Sequence, residues 1–454
     1  MRASSLQLAR LARLGCLALG ASACSWSRFE DVTQDSPVVL FERPSYMNDG
    51  FGVSLSTATN QGQSEVLVGG TTNISAAALY DIGDEDSPGT TAIDRYCAGD
   101  DQACFLSSLT AGFANATGPD HSRPLCFAVG TGTVSGGPIK SGLVVRCQDT
   151  TEYALGMPRA AQDLLAIAIA QNKPHDHPLA TDRADEPVLL ASLPDEQLAW
   201  FYPAQSTQFS ELVLPDGAQK NDPSFGRSLA VLAVDGGRVL ALGVPGKSQV
   251  YLWKTDGSAN SSYIGCLGGS DGVGRALAAG RVDRDGNDDL LVSDASTVRV
   301  IDGAVLFQLP PTASTECSFS FLPPGASLGS FGCGSTSSLT GCEESEFGAA
   351  LAVADLDGDG DGEVIVGAPK MTVRDHQNAG ALLIYDAESS SDAALVDAKF
   401  ISSAEDGDEL GRSIVTPHLA KRDIIAAGAP GNGKAALFYC SALLPHGAAG
   451  SRCP

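Results

Sequence analysis

The sequence predicts an all-β fold, a ring of seven four-stranded sheets in a β-propeller, and three observations predict it. Glycine is 51 of 454 residues while aromatic residues are 6%, so the chain has many tight turns and hence many short strands. A fixed order of signals returns along the chain: Phe-Gly, apolar run, polar loop, apolar run, Gly-x-Pro, apolar run. The starts at 225, 273, 347 and 410 lie about 50 to 75 residues apart, a period that points to a propeller or solenoid.

The units follow in order. Phe-Gly stands at Phe51-Gly52, Phe225-Gly226 and Phe347-Gly348, with weaker forms at Val273-Gly274 and Leu410-Gly411. Gly-x-Pro follows at Gly243-Val244-Pro245, Gly367-Ala368-Pro369 and Gly428-Ala429-Pro430. Between 51 and 225 there is room for three units, and strand-like runs such as RPLCFAVGTG and DLLAIAIA place starts near 110 and 160. That gives seven units. Runs such as EVIVG are almost wholly apolar, as expected of inner strands packed on both faces. Two unrelated β-sandwiches would not return one motif order in at least four places. The last unit is one strand short, and Val38–Phe41 is expected to supply that strand and close the ring.

Charge and cysteine bound the surroundings. The formal net charge of -25 repels nucleic acid and attracts cations. Residues 1–23 have the shape of a secretory signal, with Arg2, Arg10 and Arg13 before an apolar run too short to span a bilayer. Ala21-Ser22-Ala23-Cys24 resembles a bacterial lipobox, in which Cys24 would be lipidated; cleavage after Ala23 without lipidation is the alternative. The expected organisation is a signal over 1–23, a tether over 24–36, a propeller over 37–445 and a tail over 446–454. The protein is then exported and held to a bacterial envelope through its lipid. Ser25 lacks the Asp that often retains such proteins at the inner membrane, so the outer membrane is expected. Without Cys16 and Cys24, ten of the 12 cysteines remain, an even number that suits disulfides in an exported chain. Nearest-neighbour pairing gives Cys97–Cys104, Cys126–Cys147, Cys266–Cys317, Cys333–Cys342 and Cys440–Cys453, with connectivity open. No C-x-x-C favours zinc.

The stretch 355–369, DLDGDGDGEVIVGAP, carries the sharpest chemistry. Calcium takes six to eight oxygens, and a short loop supplies them when alternate side chains point inward. Asp355, Asp357 and Asp359 occupy loop positions 1, 3 and 5. Gly360 at position 6 allows the turn that aims the Asp361 carbonyl at the ion, and Glu363 at position 9 closes the cage. Without a cation these carboxylates would repel one another. The preceding unit, GRVDRDGNDDLLVS, aligns Asp283, Asp285, Gly286, Asn287 and Asp289 with positions 3, 5, 6, 7 and 9. Position 1 is Arg281, so this loop either binds calcium weakly or neutralises itself. Other units lack the carboxylates, and no metal is expected there.

Phe-Gly, acidic loop and Gly-Ala-Pro in this order resemble the FG-GAP repeat of integrin alpha-chain propellers and of many bacterial exported proteins. The resemblance covers about residues 40–440, strongly from 225 onward. It implies a seven-bladed propeller with calcium on some loops, and Glu363 departs from the usual Asp at position 9. It also implies a binding or adhesion module whose ligand is a protein or a glycan, with calcium bracing the opposite face. A structural envelope component is the alternative, and a hydrolase using the propeller face a weaker one. We expect no enzyme. GAPGNGKA at 428–435 lacks the Ser or Thr of a phosphate loop, GGSDG at 268–272 lies in a polar turn, and PHDHP at 174–178 reads as a loop.

Overall fold

The structure is a computed structural model. It describes residues 38–439 with internal gaps, the longest being 115–124, 132–141, 156–165, 170–188 and 333–343. Between 93 and 188 it gives strands as backbone alone, and 1–37, 357–359 and 440–454 lie outside the described residues.

The described residues form seven four-stranded antiparallel sheets and one two-stranded ribbon. Six of these four-stranded sheets use strands consecutive in sequence, and the seventh adds a strand from the other end of the chain. The innermost strands are β2 (Ser54–Asn60), β8 (Leu109–Ala114), β12 (Ala166–Ile169), β16 (Ser228–Val234), β20 (Leu277–Gly280), β24 (Leu351–Ala354) and β28 (Ser413–Val415). Each of these neighbours the innermost strand of the next sheet, and β28 returns to β2, so the sheets form a closed ring. The innermost strands at 109 and 166 lie close to the expected unit start near 110 and six residues past the one near 160. The outermost strand of the seventh sheet is β1 (Val38–Leu40), which pairs antiparallel with β30 (Lys434–Phe438) with Val39 opposite Leu437. Phe41 N–H continues the ladder to the Ala435 carbonyl at 2.9 Å.

The core lies in slabs between neighbouring sheets. One slab joins the first and seventh sheets through Phe51, Tyr80, Ala426 and Leu437. Another joins the sixth and seventh through Leu356, Ile365, Ile425 and Phe438. Strands sandwiched this way are buried on both faces: β16 and β17 (Gly237–Val244) are buried at every residue after the first. That is why their sequences run apolar without alternation.

The Phe-Gly pair has a double task. Its aromatic ring packs into its own sheet, Phe51 on Tyr80 and Phe347 on Tyr385, both edge to face at 6.3 Å. The glycine donates its N–H within its own sheet and touches the sheet before it. Gly411, at φ +91°, donates to the Gly428 carbonyl at 3.0 Å. A β-carbon on Gly367, the Gly-Ala-Pro glycine of the preceding sheet, would lie 2.1 Å from the Gly411 carbonyl oxygen. Gly428 meets Gly52 in the same way across the ring closure, at 1.8 Å. The two glycines of the repeat are therefore the two halves of one inter-sheet contact. A further Phe-Gly pair, Phe331-Gly332, ends an outermost strand, β23 (Ser327–Gly332), and starts no sheet.

Among the described residues, Cys266 and Cys317 form a disulfide, joining β19 (Ser262–Gly268) to the segment after a short helix, α1 (Gly303–Gln308). Cys126 and Cys147 stand directly opposite each other on β9 (Leu125–Thr131) and β10 (Gly142–Cys147). Cys97, Cys104, Cys333, Cys342, Cys440, Cys453 and Cys24 lie outside the described residues. No described helix is long and apolar enough to cross a membrane.

Candidate metal centre

The acidic stretch connects β24 to β25 (Glu363–Ala368), on the end of the sheet away from Phe347-Gly348. Its second residue, Leu356, is fully buried between the sixth and seventh sheets and pins the loop. The Leu356 N–H donates to Glu363 Oε2 at 2.9 Å, and Gly360 N–H donates to Asp355 Oδ2 at 3.1 Å. Gly360 has φ +98°, the left-handed turn position 6 requires. Positions 1, 6 and 9 are thus tied into one compact turn, with Asp355 and Glu363 at its two ends. Asp357 and Asp359 lie outside the described residues. The Asp361 side chain pairs with Arg284, with Nε at 2.6 Å from Oδ1 and a second contact of 3.2 Å.

The loop 281–289 repeats the frame. Val282 is buried as Leu356 is, its N–H donates to Asp289 Oδ2 at 3.0 Å, and Gly286 has φ +83°. Position 9 therefore caps position 2 in both loops. The other carboxylates are engaged locally. Asp283 Oδ1 accepts from Asp285 N–H at 3.0 Å, and Asp285 accepts from Asn287 backbone and side chain at 2.7 and 2.9 Å. Asn287 Oδ1 accepts from Asp235 N–H and Asp288 Oδ2 from Ala233 N–H, both at 2.7 Å, which docks the loop on the fourth sheet.

Burial raises the Asp289 carboxyl to about 8, against the pull of the Val282 and Gly303 N–H groups; Asp283 and Asp285 add repulsion. Asp283 is raised first by burial as well. Among the described residues no three acidic, His or Cys side chains converge as a metal cluster. In the fourth sheet the corresponding connection is a two-residue hairpin, Asp235-Gly236, with Val234 opposite Gly237.

Three residues outside the motif shape the centre. Asp423, on the seventh sheet, accepts the Asp355 N–H at 2.8 Å and contacts His418 Nδ1 at 2.7 Å. Arg284 links the two acidic loops through Asp361. No string in the sequence marks either partnership, since each crosses from one sheet to the next.

Residues 347–385 match the family model described as the FG-GAP repeat, a span running from Phe347 through the acidic loop to Tyr385. The sixth sheet therefore matches the FG-GAP repeat, and it stands in a closed ring of four-stranded sheets. Two solved structures are similar to it. The Dos1 propeller is 11% identical over 83% of this chain and 75% of that one, with a TM-score of 0.42. A hypothetical selenium-binding protein from Sulfolobus tokodaii is 13% identical over 79% and 78%, with a TM-score of 0.43. The search of curated proteins finds no match. The strand after the phosphate-loop look-alike, β30, stands where a nucleotide-binding loop would need a helix.

Proposed function

We propose that this FG-GAP propeller is an exported binding module, tethered to the bacterial envelope through lipidated Cys24, with calcium bracing the loop at 355–363. The observation that carries the calcium reading is the closed turn itself: a left-handed glycine at position 6, with carboxylates at positions 1 and 9 fixed by N–H groups of the same loop. Asp355, Asp357, Asp359, the Asp361 carbonyl and Glu363 would hold the ion, and the oxygen-only donor set suits a hard cation. Bound calcium would supply positive charge that removes the repulsion among these carboxylates. Asp283, Asp285, Asn287 and Asp289 form a second, weaker candidate, because Arg281 stands at position 1 and their side chains already accept N–H groups.

The binding role follows from architecture and family. A closed ring of sheets is a rigid support, and its connections display side chains on two faces without disturbing the core. A protein or glycan is the expected ligand, on the face opposite the acidic loops.

Thermal melts with calcium and with chelator test the metal. Calcium should raise the melting temperature in proportion to RT ln(1 + [L]/Kd), and Asp357→Ala should remove most of that rise. Equal melting of calcium-loaded and stripped protein, checked for metal content, refutes the reading. Capture from envelope extracts with and without chelator tests the module: one specific partner is expected, and none overturns it.

A further inference from the structure

On the face opposite the acidic loops, one repeat position carries positive charge. The residue after the Phe-Gly glycine is Arg227 in the fourth sheet, Arg275 in the fifth and Arg412 in the seventh. Each stands just ahead of an innermost strand, so the three guanidinium groups sit at the rim of the ring. In the sixth sheet the position is Ala349, and Glu346 takes a central place instead. Its Oε2 pairs with Arg412 at 2.7 Å and Arg275 at 3.2 Å, and its Oε1 with Lys370 at 2.5 Å. Glu409 pairs with the other Arg412 nitrogen at 2.9 Å. Glu346 and Glu409 hold φ of +54° and +60°, conformations that cost an L-residue energy and that these ion pairs help to fix.

The linked group holds three cations, Arg275, Lys370 and Arg412, and two carboxylates, and Arg227 stands beside it as a fourth cation. Arg227 is exposed, and its side chain has no partner among the described residues. Burial holds the Arg275 guanidinium below its usual range, and Arg412 and Arg227 push it the same way while Glu346 opposes them. Positive charge is therefore crowded here, in a chain whose net charge is -25.

We propose that this rim binds a single carboxylate group of the ligand, held between Arg227 and Arg275. A planar carboxylate matches the guanidinium fork and would relieve the repulsion between the two arginines. A long polyanion is disfavoured, because the rest of the molecule repels it. The carboxylate of an acidic sugar and the C-terminal carboxylate of a peptide share this chemistry. The proposal deepens the binding-module reading and rests on it for its biological sense.

The test is calorimetric titration of the whole mature protein at low ionic strength with galacturonate, N-acetylglycinate and galactose. Saturable binding of an acid, absent with galactose, is expected, weakened about tenfold in Arg227→Gln and in Arg275→Gln. Arg227 has no side-chain partner among the described residues, and a thermal melt of Arg227→Gln matching wild type checks that the variant folds. The tighter acid identifies the source of the carboxylate. No saturable binding of either acid, or equal binding by wild type and Arg227→Gln, overturns the proposal. Envelope capture undiminished in Arg227→Gln also overturns it and leaves the binding-module reading standing. Carboxylate binding without envelope capture supports the site and fails that reading alone.

Discussion

Glu363 has a place in the fold beside the role proposed for it at the metal. Its carboxylate accepts the Leu356 N–H, as Asp289 accepts the Val282 N–H one sheet earlier. Glu363→Gln keeps an oxygen for that N–H and removes the charge. The variant should melt close to wild type in chelator and lose most of the calcium-induced rise; a rise as large as wild type would exclude Glu363 as a ligand. His418 gives a second prediction. Its hydrogen bond to Asp423 raises its pKa above 6.5, against burial. A raised folded pKa means that the protonated form favours folding. The contribution is complete below pH 6.5 and disappears as pH rises through the folded value. The stability difference between wild type and His418→Gln should therefore be larger at pH 5.5 than at pH 8.5 in denaturant titrations. The carboxylates and the position-6 glycines were legible in the sequence because they follow a fixed local spacing. Asp423, Arg284 and Asp235 were not, because they reach the loops from 68, 77 and 52 residues away.

Between elements, the glycine pairs decide how close two sheets can come. Gly411 and Gly407 both have left-handed φ, +91° and +78°, but they differ in surroundings. A β-carbon on Gly411 would lie 2.9 Å from both the Ala381 carbonyl oxygen and Gly367 Cα, while one on Gly407 meets nothing within 4 Å. Gly407→Ala should cost about 1 kcal/mol of backbone strain. Gly411→Ala should cost about 3 kcal/mol, since the seventh sheet must also move away from the sixth. Denaturant unfolding of the two variants separates strain from packing, and equal losses would refute the inter-sheet role. The Cys266–Cys317 bond closes a span of 51 residues, and the double Ala variant should lose about 4 kcal/mol by loop entropy. The strand runs and motif order revealed the sheets, even at 110 and 160, where no Phe-Gly marks a start. The motif alone would have misled at Phe331-Gly332, where Phe331 packs on Tyr385 of the next sheet at 4.9 Å and the pair ends a strand. Two letters cannot distinguish these roles; the glycine-to-glycine contact can.

For the whole molecule, closure is what turns a row of sheets into a ring. An open row would leave two terminal sheets each lacking a neighbour, and repeat arrays of that kind need polar capping units. Here the first and seventh sheets share a buried slab, Gly52 faces Gly428, and β1 completes the seventh sheet from the other end of the chain. Phe41, just beyond β1, adds an edge-to-face contact with Tyr80 of the first sheet at 5.0 Å, so one short segment binds both sheets. Deleting residues 38–41 removes a strand and an aromatic anchor together and bares the edge of β30. Hydrogen exchange of that variant should quicken over 425–438 and 76–82 well before 228–255, which lies across the ring. Light scattering should show self-association that grows with concentration, because an unpaired edge recruits another strand. If exchange over 425–438 stayed at the wild-type rate, β1 would be a surface ornament and the ring would owe its closure to the slab alone. If exchange quickened equally in all seven sheets, the ring would be a single cooperative unit in which no sheet survives the loss of another.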